Sequence, residues 1–458
     1  MKLRLPHACL TAFSLFVGCG SVFAAEDAKP AAAPVASDKP AASQGLIPVP
    51  DYSGDLMTRN RITGDWGGTR TELANKGVQF DVTFTQVLQS VVDGGLNSTT
   101  RYSGSLDYVL TLDLMRMGVM PGAMVKFRGE SRFGNSVNDD SGSILPVNTD
   151  AFFPLTSPLE EDIAITITNL TYYQFLSEQF GVVVGKIDTL DADPNEFASG
   201  RGVNQFMNAN LVIPSSPLIV LPAYSTLAAG ILWMPVKGVT VTSVALNAAD
   251  SSTNTGFEDF GEGTAWMTEG QFQYRLGNLP GGFNVGFIYG FDNTFLDLNG
   301  RFTFQPGQGI VAPTTDDSWA FYASAWQYLC VEQQGDALIN LMDGKQDLQG
   351  VGLFLRVGFA DDDTSPIDVA ISGGVGAKGI IPSRDNDTCG IAYYYNSIET
   401  GRIAGIVGIQ DHTQGFEAFY NLHITPATQL TFDVQVIDSA QASIDTAVVL
   451  ALRLNLQF

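Results

Sequence analysis

The alternation of apolar and polar side chains is clearest in VVLALRLNLQF, residues 448–458. One set of alternate residues is aliphatic or aromatic throughout, whereas the other set includes Arg453, Asn455 and Gln457. Successive side chains of a β-strand point to opposite faces, so a period of two predicts a strand with one apolar and one mostly polar face. We therefore expect a two-faced strand here.

The same period recurs along the chain from Val78 onward. The predicted strands start near residues 78, 101, 122, 163, 180, 224, 238, 264, 282, 318, 350, 367, 390, 414, 428 and 446. The connections between these sixteen strands are alternately short and long. Two links break the alternation, because residues 334–348 are long where a short link is expected and 361–366 are short where a long one is expected.

This pattern is typical of an all-β transmembrane barrel with antiparallel up-and-down strands, predicted over residues 78–458. A soluble sandwich would also alternate, but its polar faces would carry many charges, and charged residues are only 16% of this chain against about 25% in ordinary domains. Outside the first residues, no stretch of eighteen apolar residues offers a membrane helix.

The first 24 residues resemble a secretory signal peptide. Lys2 and Arg4 give a positive start, residues 10–17 are apolar, and residues 22–24 end in Ala as a cleavage site does. The alternative is a lipoprotein signal with acylation at Cys19. Residues 25–52 are rich in Pro and Ala, which predicts a flexible linker.

Residues 53–77 are predicted to form a periplasmic segment with one short helix. Thr69 precedes Glu72 by three residues, as in a capping box, and Gly77 is a suitable helix stop. We expect no other helix of useful length in the chain.

The sequence ITGDWGGTR, residues 62–70, resembles the entry motif of the carbohydrate-selective outer-membrane porins, the OprB-like family. Segments similar to that family follow in the same order, among them residues 185–208, 276–287, 348–362 and 380–390. The resemblance implies a sixteen-stranded barrel in the Gram-negative outer membrane that lets sugars diffuse passively. The two cysteines of the barrel and the long linker depart from the family pattern.

A diffusion pore needs a constriction, and the long connection at 191–223 is the best candidate for an inward loop. Its side chains can donate to and accept from sugar hydroxyls. The candidates are Asp191, Asp193, Asn195, Glu196, Arg201, Asn204, Gln205 and Asn208. The alternative is a solvated surface loop without a ligand.

A ladder of charges lies on the polar face of one predicted strand, at Lys126, Arg128, Glu130 and Arg132. In a barrel this face lines the lumen, where basic groups could oppose the acidic groups of the inward loop. The alternative is mutual neutralisation without any role in ligand binding. Trp319 and Trp326 could stack on a sugar ring, but an aromatic girdle at the lipid interface is the favoured interpretation.

Strand parity places Cys330 and Cys389 near the same short-turn rim, which predicts a disulfide, with two free thiols as the alternative. Phe458 ends the last strand on the lipid side. A terminal aromatic resembles the recognition signal of the barrel-insertion machinery, so its deletion is expected to impair assembly.

The formal net charge of −24 argues against nucleic acid as a partner. His412 and His423 stand in no catalytic motif, and no paired metal-ligand spacing is present, so we predict no enzyme activity, metal or cofactor. The predicted partners are small sugars, outer-membrane lipid and the insertion machinery, with monomer and homotrimer both open. The alternative functions are a general or cation-preferring porin and a secreted β-rich adhesin or binding protein.

Overall fold

The computed structural model describes residues 45–151, 165–190, 194–221, 223–258, 261–307, 309–332, 348–399 and 408–458. The described residues form twenty strands. In chain order they are β1 (Val78–Asp93), β2 (Thr100–Asp113), β3 (Ala123–Gly134), β4 (Thr166–Phe175), β5 (Phe180–Asp188), β6 (Ser225–Trp233), β7 (Val239–Asn247), β8 (Thr264–Leu276), β9 (Leu279–Phe291), β10 (Phe295–Leu296), β11 (Thr303–Gln305), β12 (Gly309–Val311), β13 (Thr314–Thr315), β14 (Ser318–Val331), β15 (Gly350–Ala360), β16 (Ile367–Lys378), β17 (Thr388–Ile398), β18 (His412–Thr425), β19 (Thr428–Asp438) and β20 (Ala447–Gln457).

Sixteen of these strands close into one antiparallel barrel, in which each strand pairs with its neighbours in the chain and β1 pairs with β20. The strands β10 to β13 form two small two-stranded sheets in the connection between β9 and β14. The predicted fold class is confirmed, and every barrel strand begins within three residues of its predicted start.

The two faces of the strands differ in chemistry, as the period of two predicts. On β18, Phe416 is 39% exposed on the outside, while its neighbour Glu417 is fully buried inside. On β20, Leu450 and Leu452 are exposed and Arg453 is buried. A closed barrel satisfies its backbone groups between strands, which leaves the outer face free to be apolar. Among the described residues, no helix is long and apolar enough to cross a membrane.

The short helix α1 (Thr69–Asn75) is present where it was predicted, but its cap is different. Gly68 occupies the cap position and makes no side-chain cap bond, so the predicted capping box of Thr69 and Glu72 is wrong. Asp65 takes over this role, because its Oδ1 accepts hydrogen bonds from the N–H (2.8 Å) and Oγ1 (2.7 Å) of Thr71. Gly77, at a φ of +93°, follows the helix as predicted.

The predicted linker extends too far toward the barrel. Its described end, residues 45–52, contacts the short-turn rim, where the Ile47 N–H donates to Asp113 Oδ2 at 3.2 Å and Arg116 Nη2 donates to the Ile47 carbonyl at 2.8 Å. Tyr52 is 1% exposed. Residues 45–52 therefore pack against the barrel, as the segment that follows them does.

Residues 194–221 of the connection between β5 and β6 lie inside the barrel, and we call them the inner segment. It contains a single 3-10 turn (Gly200–Gly202) and two four-residue helices, α2 (Ala209–Val212) and α3 (Pro217–Val220). The sequence did not predict these helices, because each has only one turn, too short for a periodic pattern. The connection between β3 and β4 supports the segment from the long-loop side, where Thr149 N–H donates to the Met207 carbonyl at 2.9 Å.

Apolar side chains of the inner segment pack on a row of glycines in the barrel wall. Gly352, Gly376 and Gly390 are paired in register across β15, β16 and β17. A Cβ on Gly376 would meet the Phe197 ring at 2.6 Å, and one on Gly390 would meet the Phe206 ring at 2.8 Å. These glycines therefore provide the space in which the two rings lie.

Candidate functional site: the narrowed lumen

Charged side chains of the wall hold the backbone of the inner segment. Both carboxylate oxygens of Glu417 accept main-chain N–H groups, from Met207 at 2.5 Å and Asn208 at 2.9 Å. Arg356 donates to the carbonyls of Ala198 and Leu211. Because the segment has little regular structure, these wall side chains satisfy backbone groups that would otherwise be buried without partners.

Arg453 and wall amides extend this anchoring. Arg453 donates to the Gly202 carbonyl and, at 2.7 Å, to the Gln205 carbonyl. Asn195 Nδ2 donates to Ser324 Oγ at 2.9 Å. Two further hydrogen bonds come from amide side chains of the wall. Asn396 Nδ2 donates to Asn210 Oδ1 at 2.7 Å, and Asn421 Nδ2 donates to the Asn204 carbonyl at 2.8 Å.

On the opposite wall, a group that we call the charged cluster surrounds Glu130, which is 1% exposed. Its members are Asp107, Arg128, Glu130, Arg132, Asp150, Asp188 and Arg201. Glu130 lies 3.0 Å from Arg128 Nε and 3.4 Å from Arg132 Nη2. Tyr224 donates its hydroxyl to both Glu130 oxygens, at 2.9 and 2.8 Å.

Arg201 connects the inner segment to this cluster. Its Nη1 donates to Asp188 Oδ2 at 2.8 Å and its Nη2 donates to Glu130 Oε1 at 3.1 Å. Its backbone has a φ of +56°, a left-handed conformation that side-chain-bearing residues seldom adopt. The ion pairs are formed in a geometry that the backbone alone disfavours, which indicates that the surroundings hold Arg201 in place.

Asn204 lies in the part of the inner segment nearest the short-turn rim, between two cavities. The first, of about 300 Å³, is lined by Asp107, Arg128 and Arg201 of the charged cluster. The second, of about 230 Å³, lies between the inner segment and the wall strands β14 and β16 to β19. Asn204 lines both cavities. Polar and charged side chains therefore contribute to the lining of both cavities.

Comparison with known proteins identifies the chain's relatives. Residues 97–458, well over half of the chain, match the OprB family of carbohydrate-selective porins. The chain belongs to this family. Porin B of Pseudomonas aeruginosa strain PAO1 is 22% identical over 444 residues, which span 87% of this chain and 91% of that protein.

Solved structures of family members have the same fold. The high-pH structure of OprB from Pseudomonas putida has a TM-score of 0.73 at 20% identity and covers 88% of this chain and 100% of its own. The low-pH structure has a TM-score of 0.54 at 16% identity, with coverage of 88% and 99%. The chain is thus a sugar porin of the Gram-negative outer membrane.

The structure brings together some of the residues that the sequence singled out in this porin. Arg128, Glu130, Arg132 and Arg201 all belong to the charged cluster. Lys126 lies on the same strand and is paired in register with Thr111. Asp191 and Asp193 lie outside the described residues.

The amide candidates serve the inner segment itself more than an open lumen. Asn195 Oδ1 accepts the N–H groups of Phe197 and Ala198 at 3.1 and 3.2 Å. Gln205 Oε1 accepts the Ser199 N–H at 2.6 Å. Asn208 caps α2 by accepting the Asn210 N–H. Glu196, Asn204 and Gln205 also line a cavity.

Sequence reasoning missed Asp107, Asp150, Asp188 and Tyr224. Asp107 could have been found, since it lies on β2 directly opposite Glu130 in register. Asp150 and Tyr224 enter from connections whose paths inside the barrel no period predicts. Their contribution depends on tertiary packing.

The expectations for Trp326 and the cysteines are wrong. Trp326 is 8% exposed and packs inside the barrel, with its ring 6.4 Å from that of Phe197, whereas Trp319 is 38% exposed. Their spacing of seven residues puts the two side chains on opposite faces. Cys389 carries a free thiol, so the predicted bridge to Cys330 is absent. β15 and β16 separate the two strands, which puts the cysteines beyond the roughly 7 Å that a disulfide allows between Cα atoms.

Proposed function

We propose that the charged cluster and the adjoining inner segment form the constriction that selects sugars in this porin. The observation that carries this proposal is the position of Arg201, which links the inner segment to Glu130 and Asp188 of the wall. Asp107, Arg128 and Arg201 of the charged cluster line the cavity of about 300 Å³, and the buried members form ion pairs with them or with one another. Their fixed donors and acceptors can replace the water around sugar hydroxyls.

The pairing of opposite charges also favours weak sugar binding, as passive diffusion requires. Each charged group already has partners of opposite sign, so a sugar hydroxyl gains only the difference between hydrogen bonds to the wall and to water. A solute that binds weakly can leave the pore again, which diffusion requires. We propose no catalytic role for any of these groups.

A cation preference for charged solutes is the second candidate function. The chain carries a formal charge of −24, and the cluster has one carboxylate more than its guanidinium groups. A lumen with excess negative charge attracts cations and repels anions.

Liposome swelling tests both functions. We expect glucose to enter porin-containing liposomes faster than gluconate of similar size, with glucosamine intermediate or equal to glucose. Swelling rates that do not distinguish the three solutes would contradict the constriction, and entry of glucosamine alone would favour the cation-preferring porin. Liposomes without protein provide the baseline.

The ends of the chain have roles in export and assembly in this proposal. Residues 1–24 are a signal peptide that is removed on export. Residues 25–44 are a linker, and residues 45–77 lie on the periplasmic side. Phe458 is read by the insertion machinery. We expect deletion of Phe458 to reduce the amount of heat-modifiable barrel while single-channel conductance stays unchanged. Normal assembly of the deletion variant would exclude this role.

The oligomeric state is the remaining part of the proposal. The sugar pathway lies within one barrel, so a monomer is sufficient for transport, and we propose that one chain forms one complete pore. Light scattering of detergent-solubilised protein with single-channel recording tests this. A single-chain particle by light scattering that forms no conducting channel would overturn it.

A further inference from the structure

The cavity of about 230 Å³ lies on the far side of Asn204 from the charged cluster, and no residue of the cluster lines it. It lies near the short-turn rim, because Thr388 is the first residue of β17 and Lys378 the last of β16, and both line it. It is smaller than most sites for drug-sized ligands, which occupy roughly 300 Å³ or more. One small ring is therefore the size of ligand that it fits.

Two buried polar atoms of residues that line this cavity have no hydrogen-bond partner among the described residues, Asn421 Oδ1 and Thr388 Oγ1. Asn421 is 1% exposed, and its Nδ2 is fully used by the Asn204 carbonyl and Gln429 Oε1. A buried acceptor without a partner is unfavourable, and native proteins seldom leave one. Both atoms are suited to accept hydrogen bonds from ligand hydroxyls.

Aromatic rings of Phe197, Tyr328 and Phe419 also line the cavity. Phe197 and Tyr328 pack edge to face with their centroids 4.9 Å apart, and Phe419 contacts Phe206 in the same way at 4.8 Å. Tyr328 donates its hydroxyl to Glu196 Oε1 at 2.8 Å, which places a carboxylate beside the rings. Apolar ring surface next to amide, hydroxyl and carboxylate oxygens matches a pyranose, which has apolar C–H groups and several O–H donors.

We propose that this cavity is a second saccharide subsite, which holds one neutral pyranose ring between the constriction and the short-turn rim. This inference rests on the proposed function, since the sugar reaches the subsite through the constriction or from the rim. The Oδ1 of Asn421 and the Oγ1 of Thr388 accept its hydroxyl groups. The rings of Phe197, Tyr328 and Phe419 contact its apolar surface.

The decisive variant is Thr388→Val. Val has nearly the shape of Thr, and removing a hydroxyl that lacks a partner leaves folding unchanged or slightly more favourable if its role is only structural. We expect instead that the dissociation constant for glucose, measured from current fluctuations in planar bilayers, rises about 3- to 10-fold, the worth of one hydrogen bond. The effect is larger for glucose added on the side of the short-turn rim.

Asn421→Ala is the second variant and should weaken glucose binding at least as much, although it also removes the bond to the Asn204 carbonyl. Thr428→Val is the matched control. Thr428 and Phe432 are four residues apart on β19, so both side chains face outward, and Thr428 lies near the same rim but outside the cavity. Heat modifiability on gels checks that each variant has folded.

The outcomes separate the two proposals. Glucose binding that is equal in wild type, Thr388→Val and Asn421→Ala, but altered in Arg201→Gln, overturns the subsite and leaves the constriction intact. A wild-type channel that shows neither glucose block nor glucose permeation overturns both. Weakened binding in Thr388→Val with normal binding in Thr428→Val supports the subsite.

Discussion

Arg201 shows how a single residue can be held in an unfavourable conformation by its partners. Its positive φ costs about 1 kcal/mol or more, a cost that Gly would avoid. The guanidinium lies 2.8 Å from Asp188 and 3.1 Å from Glu130, and its centre is 5.2 Å from the Tyr224 ring centroid. The side-chain contacts therefore explain why Arg occupies a position that the backbone would favour for Gly.

Replacing Arg201 changes the balance of charge in the lumen. The Arg201→Gln variant leaves two guanidinium groups facing four carboxylates, so we expect a shift of the zero-current potential toward cation selectivity and an altered glucose affinity. Measurement of the reversal potential in a salt gradient checks this. The ion pair is partly buried, so we also expect a loss of stability of about 1–3 kcal/mol.

Lys76→Gln is the matched control for this prediction. It also removes one positive charge, but Lys76 is the C-terminal cap of α1, outside the lumen, where its exposed side chain pairs with Glu72. An equal shift of reversal potential in both variants would mean that overall charge, and not the charged cluster, sets ion selectivity.

At the scale of elements, the inner segment depends on the glycine row of β15 to β17. The Gly376→Ala variant places a methyl group where the Phe197 ring lies, so we expect overpacking that destabilises the barrel by about 1–3 kcal/mol. The midpoint temperature of heat modification measures the loss. Combining it with Phe197→Leu should recover part of the stability, because the two sites are in contact.

Gly129→Ala provides the comparison for the glycine row. Its added Cβ would lie 3.3 Å from the nearest atom, the Cγ2 of Ile165, whose side chain is 55% exposed and has room to shift. We expect little change in stability. A loss of stability as large as that of Gly376→Ala would show that the β propensity of the residue, and not the space needed by Phe197, determines the effect of substitutions at these glycines.

The connection between β3 and β4 makes stability depend on pH. Asp140 accepts hydrogen bonds from Arg101 Nε at 2.9 Å and from Asn97 Nδ2 at 3.2 Å. The Arg101 bond, with a smaller contribution from the Asn97 bond, holds the pKa of Asp140 below its usual 3.8 despite partial burial. A lowered pKa in the folded state gives stability that is present above pH 3.8 and is lost as the pH falls through the folded-state pKa.

The Asp140→Asn variant tests this link. We expect it to be less stable than wild type at pH 7, by less than about 1 kcal/mol because Arg101 is partly exposed, and the difference should shrink toward pH 3. Midpoints of heat modification against pH give the comparison. Asp139→Asn is the control, and a gap that stays constant from pH 7 to pH 3 would contradict the assignment.

Strand positions could be predicted from the sequence, whereas the path of the inner segment could not. Alternation along one strand reports which face is apolar, and this is a local property. Phe197 and Phe206 give no such signal, because their surroundings come from wall strands more than 120 residues away in the chain. Within the charged cluster, the ladder on β3 was visible in the sequence, but the carboxylates that complete it were not.

At the scale of the whole molecule, Arg70 of the ITGDWGGTR motif helps to close the barrel. Its Nη2 donates to the main-chain oxygens of Phe80 (2.6 Å) and Phe458 (3.0 Å), one on each side of the seam between β1 and β20. Its guanidinium also lies over the ring of Tyr52, 4.3 Å from the centroid, and contacts Asp81 at 2.9 Å. The motif thus connects the first and last strands of the barrel.

We expect Arg70→Met to weaken this seam. Removing a buried charge leaves Asp81 with one ion-pair partner fewer and two carbonyls without this donor, which should cost about 3–5 kcal/mol. The measurement is the fraction of heat-modifiable barrel after refolding in detergent, and Arg70→Lys should restore part of it. Lys76→Gln, at the C-terminal cap of the same helix, is expected to assemble normally. Assembly of Arg70→Met at the wild-type level would be incompatible with a role in closure.

The sequence by itself determined the sixteen strands, their two faces and their order, because a period of two and the turns between strands are encoded by neighbouring residues. The family motif further indicated what kind of barrel they form. Only the tertiary structure decided where the inner segment lies, which carboxylates surround Glu130 and which cysteines can meet. Those arrangements depend on contacts between residues far apart in the chain, which form only once the wall is closed around them.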